Sequence, residues 1–429
     1  MFILYNFFVT ILSPLWVPWM LWRARKRTEA PIWAERFGRY SIPIRRDGKR
    51  IWFHAVSVGE VLAALPVLRG LRERLPEHEI LLSVTTSSGH KTAREQAVGL
   101  YDHLVYFPID VPRFQLAAMT RVLPSVAVIM ETELWMDFLW AAKTVRARTM
   151  LVNGRISDRS FPRSMRLRFL FRALLRMVDR CLMQTDLDVE RIKALGAQAA
   201  ERLGNTKFDQ AIEGLEADPA EWRKTLALPE GRPVVVIGST RGEEEEALVL
   251  EAVKRVGLDR IAVVHAPRHL ERVPALVEEA MRTLGTAALR SAGDGGEYVV
   301  LDTYGELSRV YGVADVVVIG GGFANLGGQN LLQALAHGKP VLHGPHMQNF
   351  AEVATAALRA GASRECADVA SLAEAITDLL DHPDKRAEMG AAAKALVQTN
   401  LGASARYVEE IAREAEAYGK PTSPATDPT

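Results

Sequence analysis

Three carboxylates, a lysine and an arginine stand where an α/β sheet would present ligands. Glu60 follows the apolar stretch 51–56 and opens a helical pattern through Ala63, Leu65, Leu68 and Leu71. It therefore sits at the carboxyl end of a strand, where open α/β sheets bind their ligands. There it is a candidate general base, or a helix-capping group that the helix dipole favours in a first turn. Glu131 and Glu133 repeat the arrangement behind the strand-like run 126–130, beside Trp135, and helix capping again competes with a ligand role. Lys207, in the run Gly-Asn-Thr-Lys-Phe-Asp, either meets a phosphate or lies in solvent. Arg268 ends another strand-like run, 261–264, and is placed to pair with a phosphate. Glycines 320–322 and 327–328 follow the β-branched run 316–319 and precede Gln329, Asn330 and the helically spaced Leu331, Leu332, Ala334 and Leu335. A strand, a glycine loop and a helix start form an anion cradle of backbone N–H groups. Tight turns of an ordinary α/β unit explain the same glycines.

The elements that would position these residues alternate along the chain. Strand signals fall near 50–55, 80–85, 103–107, 126–130, 150–153 and 181–184, then at 234–237, 261–264, 298–301, 316–319 and 341–342, with helical patterns between them. Short, continuous β-branched runs of this kind mark parallel sheets buried on both faces. The expected fold is α/β, with two Rossmann-like doubly wound domains facing a cleft, the GT-B glycosyltransferase architecture, and an N-terminal membrane anchor. The expected divisions are an anchor at 1–22, an acceptor-binding domain at 30–210, a polar connection at 211–232, a nucleotide-sugar domain at 233–400, and a C-terminal helix with a disordered tail at 401–429. Asp186-Leu187-Asp188 has the form of a metal-binding DxD, but Thr185 before it reads as the N-cap of a helix. The acidic run 243–246 reads as helix-dipole chemistry.

At 429 residues the chain holds two full cores, and a net charge of +1 exerts no global pull toward nucleic acid. Two cysteines, Cys181 and Cys366, make no disulfide framework and fit a reducing compartment. Residues 1–22 carry no charge and are followed at once by Arg23, Arg25, Lys26 and Arg27. That pattern predicts a spanning or interfacial anchor with the basic cluster on the cytoplasmic side. Arg168, Arg172, Arg176 and Arg180 recur every fourth residue among Leu and Phe. They form either a solvated face or a surface for anionic lipid head groups or a phosphorylated acceptor.

Several ordered motifs together resemble the 3-deoxy-D-manno-octulosonic acid (Kdo) transferases of lipopolysaccharide synthesis. They are HAVSVGE ending at Glu60, ETELW from Glu131, NGRISDRS from Asn153, GNTKFD from Gly204, GST from Gly238, PRHLER from Pro267, DTYGEL from Asp302, and the GGQN, GKPV and GPHMQNF series. The resemblance implies an inverting transfer of Kdo from CMP-Kdo to a lipid A precursor at the cytoplasmic face of a bacterial inner membrane, with no cofactor and no bound metal. It implies that Glu60 is the general base and that Glu131 and Lys207 support the transition state. It places CMP on Pro267 and Arg268, on Gly305, Glu306 and Leu307, and on Asn330, Leu331, Leu332 and Gln333. The chain departs from the family pattern at Arg241 and Gln329, where histidines are usual, and at Gln333, where glutamate is usual. A relative using another CMP-activated ulosonic acid, a sugar-nucleotide epimerase of the same fold, and a membrane-tethered binder are the alternative readings.

Overall fold

Strands form where the β-branched runs lie. The computed structural model describes residues 2–11, 32–158, 160–210, 212 and 215–418. In the first half these are β1 (Arg50–Ala55), β2 (Glu79–Val84), β3 (His103–Tyr106), β4 (Val126–Met130), β5 (Arg148–Gly154), β6 (Arg180–Met183) and β7 (Ala200–Arg202). They pair in parallel in the order β3-β2-β1-β4-β5-β6-β7. The alternation within β1 shows why both faces must be covered: Ile51, Phe53 and Ala55 join one core, whereas Trp52 joins the other with Phe138 and Met119.

The second half repeats the plan with β8 (Val234–Thr240), β9 (Ala262–Pro267), β10 (Ala288–Leu289), β11 (Tyr298–Val300), β12 (Val316–Ile319), β13 (Val341–His343) and β14 (Ser363–Glu365). Their order is β10-β11-β9-β8-β12-β13-β14, again all parallel. The strand order reverses at β1/β4 in the first sheet and at β8/β12 in the second. These switch points leave a crevice beyond the carboxyl ends of the strands, the usual ligand position in such sheets.

The chain divides into two units. One comprises the described residues up to Asp209 together with those from Leu401 onward, and the other is Gln210–Asn400. The first unit is thus completed by the helix Ala403–Ala417. Its Tyr407, Val408, Ile411 and Ala415 pack into the core formed by Leu68 and Leu71 of the helix Val58–Arg74. Arg74, Arg148 and Arg180 pair with Glu416, Glu414 and Glu410 at 2.7–2.9 Å.

Several expectations change. Arg180 lies on β6 and is spent on these ion pairs, so it is not part of the arginine stripe, which ends with Arg176 after the helix Arg168–Leu175. The connection at 211–232 contains a helix, Pro219–Thr225, capped by the Asp218 side chain at 2.9 Å. Of the expected anchor, residues 1 and 12–22 lie outside the described residues, as do the basic cluster at 23–27 and the expected tail at 419–429. Phe2–Ile11 is a ten-residue helix. Tyr5 Oη donates to Asp110 at 2.9 Å and Asn6 Nδ2 to Asp137 at 2.8 Å, which docks this helix on the first unit. No helix among the described residues is long and apolar enough to cross a membrane.

Candidate active site

In the first unit the switch point gathers three carboxylates. Glu60 stands in the first turn after β1, with Ser57 as N-cap residue. Its Oε2 accepts from the Val56 N–H at 2.8 Å and its Oε1 from Ser57 Oγ at 3.2 Å. The capping explanation is therefore realised, and it does not exhaust the residue. Glu60 is buried and has no ion-pair partner among the described residues. Burial pushes its carboxyl up to about 7, the Val56 N–H opposes that shift, and the charges of Glu131 and Glu133 across the switch point add to it. Burial, with the charge of Glu131, also raises Glu133.

Glu131 has the opposite surroundings. Arg155 Nε donates to its Oε2 at 3.0 Å, and Lys207 Nζ lies 3.7 Å from Oε1. Its backbone is left-handed, at φ 56°, an uncommon state for a non-glycine residue and one that concentrates at functional sites. Two neighbouring carboxylates, one paired with cations and one held near neutrality by burial, are how an active site separates a fixed anion from a base.

A buried amide network sets Lys207. Gln184 Nε2 donates to the Asn153 carbonyl, Asn205 Nδ2 to Gln184 Oε1, and the Thr206 N–H to Asn153 Oδ1, at 3.0–3.2 Å. Asn153 is also left-handed, at φ 54°. The far side of the same loop is held by the returning helix. Tyr407 Oη donates to the Gly204 carbonyl at 2.7 Å, and Asp209 accepts from the Gly402 and Ser404 N–H groups at 2.6 and 2.7 Å. His54, in the same motif as Glu60, is structural. It is fully buried, stacked on Phe107 and bonded to Ser83, and burial lowers it to about 3, so it stays neutral. The DxD is a helix start, as read: Thr185 caps the Asp188 N–H, and Asp188 accepts from the Ile156 N–H at 2.7 Å.

In the second unit every expected nucleotide-binding segment falls at the carboxyl edge of the sheet. Pro267 ends β9, and the exposed Arg268 follows, its N–H bonded to the Thr240 carbonyl at 2.9 Å. Gly305, at φ 80°, lies beyond β11. Glu306 accepts from Thr303 and pairs with Arg290 at 3.3 Å, and Leu307 begins a short helix. Asn330 Oδ1 caps the Leu332 N–H at 2.9 Å. Leu331 and Leu332 bury their side chains, so only their backbone can face a ligand, whereas Gln333 is half-buried.

The glycine loop differs from expectation in two ways. The helix after it is only Leu332–Ala336. In addition, several of the loop's N–H groups are already taken. Glu245, fully buried, accepts from Gly321 N at 2.7 Å and Phe323 N at 3.0 Å, and also from Arg241 N at 2.7 Å. The acidic run 243–246 is therefore more than dipole chemistry. Glu245 bridges two loops, and Glu246 pairs with Arg272 at 2.7 Å. The signal available in the sequence was a glutamate three residues beyond Gly242, but nothing local names the distant loop it reaches.

Two doubly wound parallel sheets, with a carboxylate cluster at one switch point and a glycine loop at the other, give the two-Rossmann architecture that glycosyltransferases use. Residues 32–210 match the family model described as 3-Deoxy-D-manno-octulosonic-acid transferase (kdotransferase), and residues 221–396 match Glycosyl transferases group 1. A 3-deoxy-D-manno-octulosonic acid transferase of Bordetella pertussis is 35% identical over 425 residues, covering 93% of this chain and 96% of the relative. The chain belongs to the Kdo transferase family and is a glycosyltransferase. Among solved structures, MurG of Acinetobacter baumannii matches with a TM-score of 0.56 at 13% identity, over 85% of this chain and 99% of that one. UDP-GlcNAc 2-epimerase of Neisseria meningitidis matches with 0.54 at 13%, over 85% and 100%. The fold is thus common to transferases and epimerases, and the sequence family decides between them.

Proposed function

We propose that the chain transfers Kdo from CMP-Kdo to a lipid A precursor, with inversion and without a metal. The observation that supports this most directly is Glu60, a buried carboxylate poised near pH 7 beside the cation-paired Glu131. In this reading Glu60 takes the proton of the acceptor hydroxyl as that oxygen attacks the anomeric carbon of Kdo. The bond from this carbon to the phosphate oxygen breaks, its electron pair leaves on CMP, and attack from the opposite side inverts the centre. Glu131 is the fixed anion that offsets oxocarbenium charge, and Lys207, held by Asn205 and Glu131, balances charge as CMP departs. Pro267, Arg268, Gly305, Glu306, Leu307, Asn330, Leu331, Leu332 and Gln333 hold CMP, with the Arg268 guanidinium on its phosphate.

A lipid acceptor requires a membrane surface. Arg163, Arg166, Arg168, Arg172 and Arg176 are exposed along the helices Phe161–Arg166 and Arg168–Leu175, interleaved with exposed Met165, Leu167 and Phe169. Cations with apolar side chains between them suit an anionic bilayer interface, at the cytoplasmic face of the inner membrane in this reading.

The test is product formation from CMP-Kdo and a tetraacylated lipid A precursor in the presence of EDTA, with wild type and Glu60→Gln. Sugar–lipid product from wild type, reduced at least a hundredfold in the variant, is expected. Equal turnover by both would remove Glu60 from its role, and loss of wild-type turnover on chelation would end metal independence.

A further inference from the structure

Glu245 lies at the switch point of the second sheet, in the first turn of the helix Glu243–Val256. A glutamate three residues past an N-cap ordinarily folds back on its own helix start. This one reaches further. One oxygen accepts from Arg241, in the loop after β8, and from Gly321, in the loop after β12; the other accepts from Phe323. Three backbone donors from two loops converge on one fully buried carboxylate. Such a nest of N–H groups beside a glycine loop is where these sheets usually seat a phosphate. Here the protein fills it with its own anion.

The surrounding contacts extend the tie. Arg241 Nη1 donates to the Leu326 carbonyl at 3.3 Å, Gly328 N to the Gly321 carbonyl at 2.7 Å, and His346 N to the Gly322 carbonyl at 3.0 Å. The Gln329 side chain lies over Gly321, where a Cβ would come within 3.0 Å of it.

We propose that Glu245 is a positioning residue for the sugar-nucleotide donor, an internal anion that occupies the glycine-loop nest and locks the loops after β8 and β12 together. The donor phosphate is thereby directed to the remaining cations at this edge, Arg268 and Arg241. This rests on the donor reading above. A carboxylate bonded to three N–H groups contributes strongly when buried. Its removal frees those donors and lets the loop on which the donor lies relax.

The experiment uses the full chain, with wild type, Glu245→Ala and Glu245→Gln, and measures KM for CMP-Kdo, KM for the lipid acceptor, kcat and Tm. Glu245→Ala is expected to raise the donor KM about tenfold or more, to leave the acceptor KM unchanged, and to recover with added formate, which can refill the vacated nest. Glu245→Gln fills the space and is expected to show a smaller donor defect with no formate response. An unchanged donor KM in either variant would overturn the proposal. So would donor and acceptor KM rising together with no recovery in formate. If Glu245→Ala does not fold, the donor KM of Glu245→Gln decides alone. Absence of CMP-Kdo turnover by the wild type would instead remove the donor reading.

Discussion

If Glu60 is the base, the acid limb of the reaction belongs to it and should move when its neighbours change. Its carboxyl sits at about 7, against an ordinary glutamate at 4.5. An acid of that pKa is roughly half ionised at pH 7 and about a tenth ionised at pH 6, where an ordinary glutamate is almost fully ionised. CMP release should therefore fall about fivefold from pH 7 to pH 6 and about tenfold per pH unit below that. Burial causes most of the shift, and the charges of Glu131 and Glu133 supply a smaller part. Glu133→Gln removes one like charge and keeps the shape. A neighbouring like charge is worth about half to one pKa unit, or ~0.7–1.4 kcal/mol. The variant should thus run about two- to fivefold faster than wild type at pH 6 and equally fast at pH 8. Initial rates of CMP release between pH 5.5 and 8.5, at saturating acceptor, measure both effects. A wild-type midpoint near 4.5, or a limb that Glu133→Gln leaves in place, would refute the assignment.

Other outcomes follow from named contacts. Glu60 has a raised pKa in the folded state, so it has no effect on stability below about 4.5, weakens the fold progressively as pH rises from there, and reaches its full cost above about 7; Glu60→Gln should therefore be more stable than wild type by up to about 3 kcal/mol at pH 8 and no more stable at pH 4, by urea unfolding. Lys207→Met should lower kcat about a hundredfold or more, with CMP affinity by calorimetry unchanged. Gly344→Ala puts a Cβ 2.1 Å from the Gly322 carbonyl oxygen, a backbone atom, and should cost about 2–3 kcal/mol with a lower Tm. Replacing Arg168, Arg172 and Arg176 by Gln should weaken sedimentation with anionic vesicles while leaving turnover of a detergent-dispersed acceptor intact; unchanged vesicle binding would place the membrane surface elsewhere.

Much of this was legible in the residues themselves, for identifiable reasons. Interior strands such as β4 and β12 are continuous apolar runs because both faces are buried, and that pattern survives in one dimension. Glu60 and Glu131 were placed because strand ends and switch-point loops adjoin in sequence. What failed was short or long-range. The edge strands β7, β10 and β14 have two or three residues and no apolar period. The four-residue arginine spacing continues past the end of its helix to Arg180, which lies on β6, and spacing alone does not mark where the helix stops. Two of the three partners of Glu245 lie 76 and 78 residues away. The amide network behind Lys207 joins Asn153, Gln184 and Asn205, each unremarkable where it stands. Tyr407 closes that network from more than 200 positions downstream.

The returning helix has a consequence for how the molecule is made. The second unit, Gln210–Asn400, is one uninterrupted stretch and can complete its core as soon as it leaves the ribosome. The first unit, although it begins earlier, lacks the wall supplied by Tyr407, Val408, Ile411 and Ala415 until the helix Ala403–Ala417 has been made. The part carrying Glu60, Glu131 and Lys207 is therefore translated first and finished last. Until then the Gly204 carbonyl and Asp209 lack the Tyr407 hydroxyl and the Gly402 and Ser404 N–H groups that hold the Lys207 loop. Assembly order alone leaves the Lys207 loop, and with it the cation beside Glu131, without these supports until the helix Ala403–Ala417 has been made.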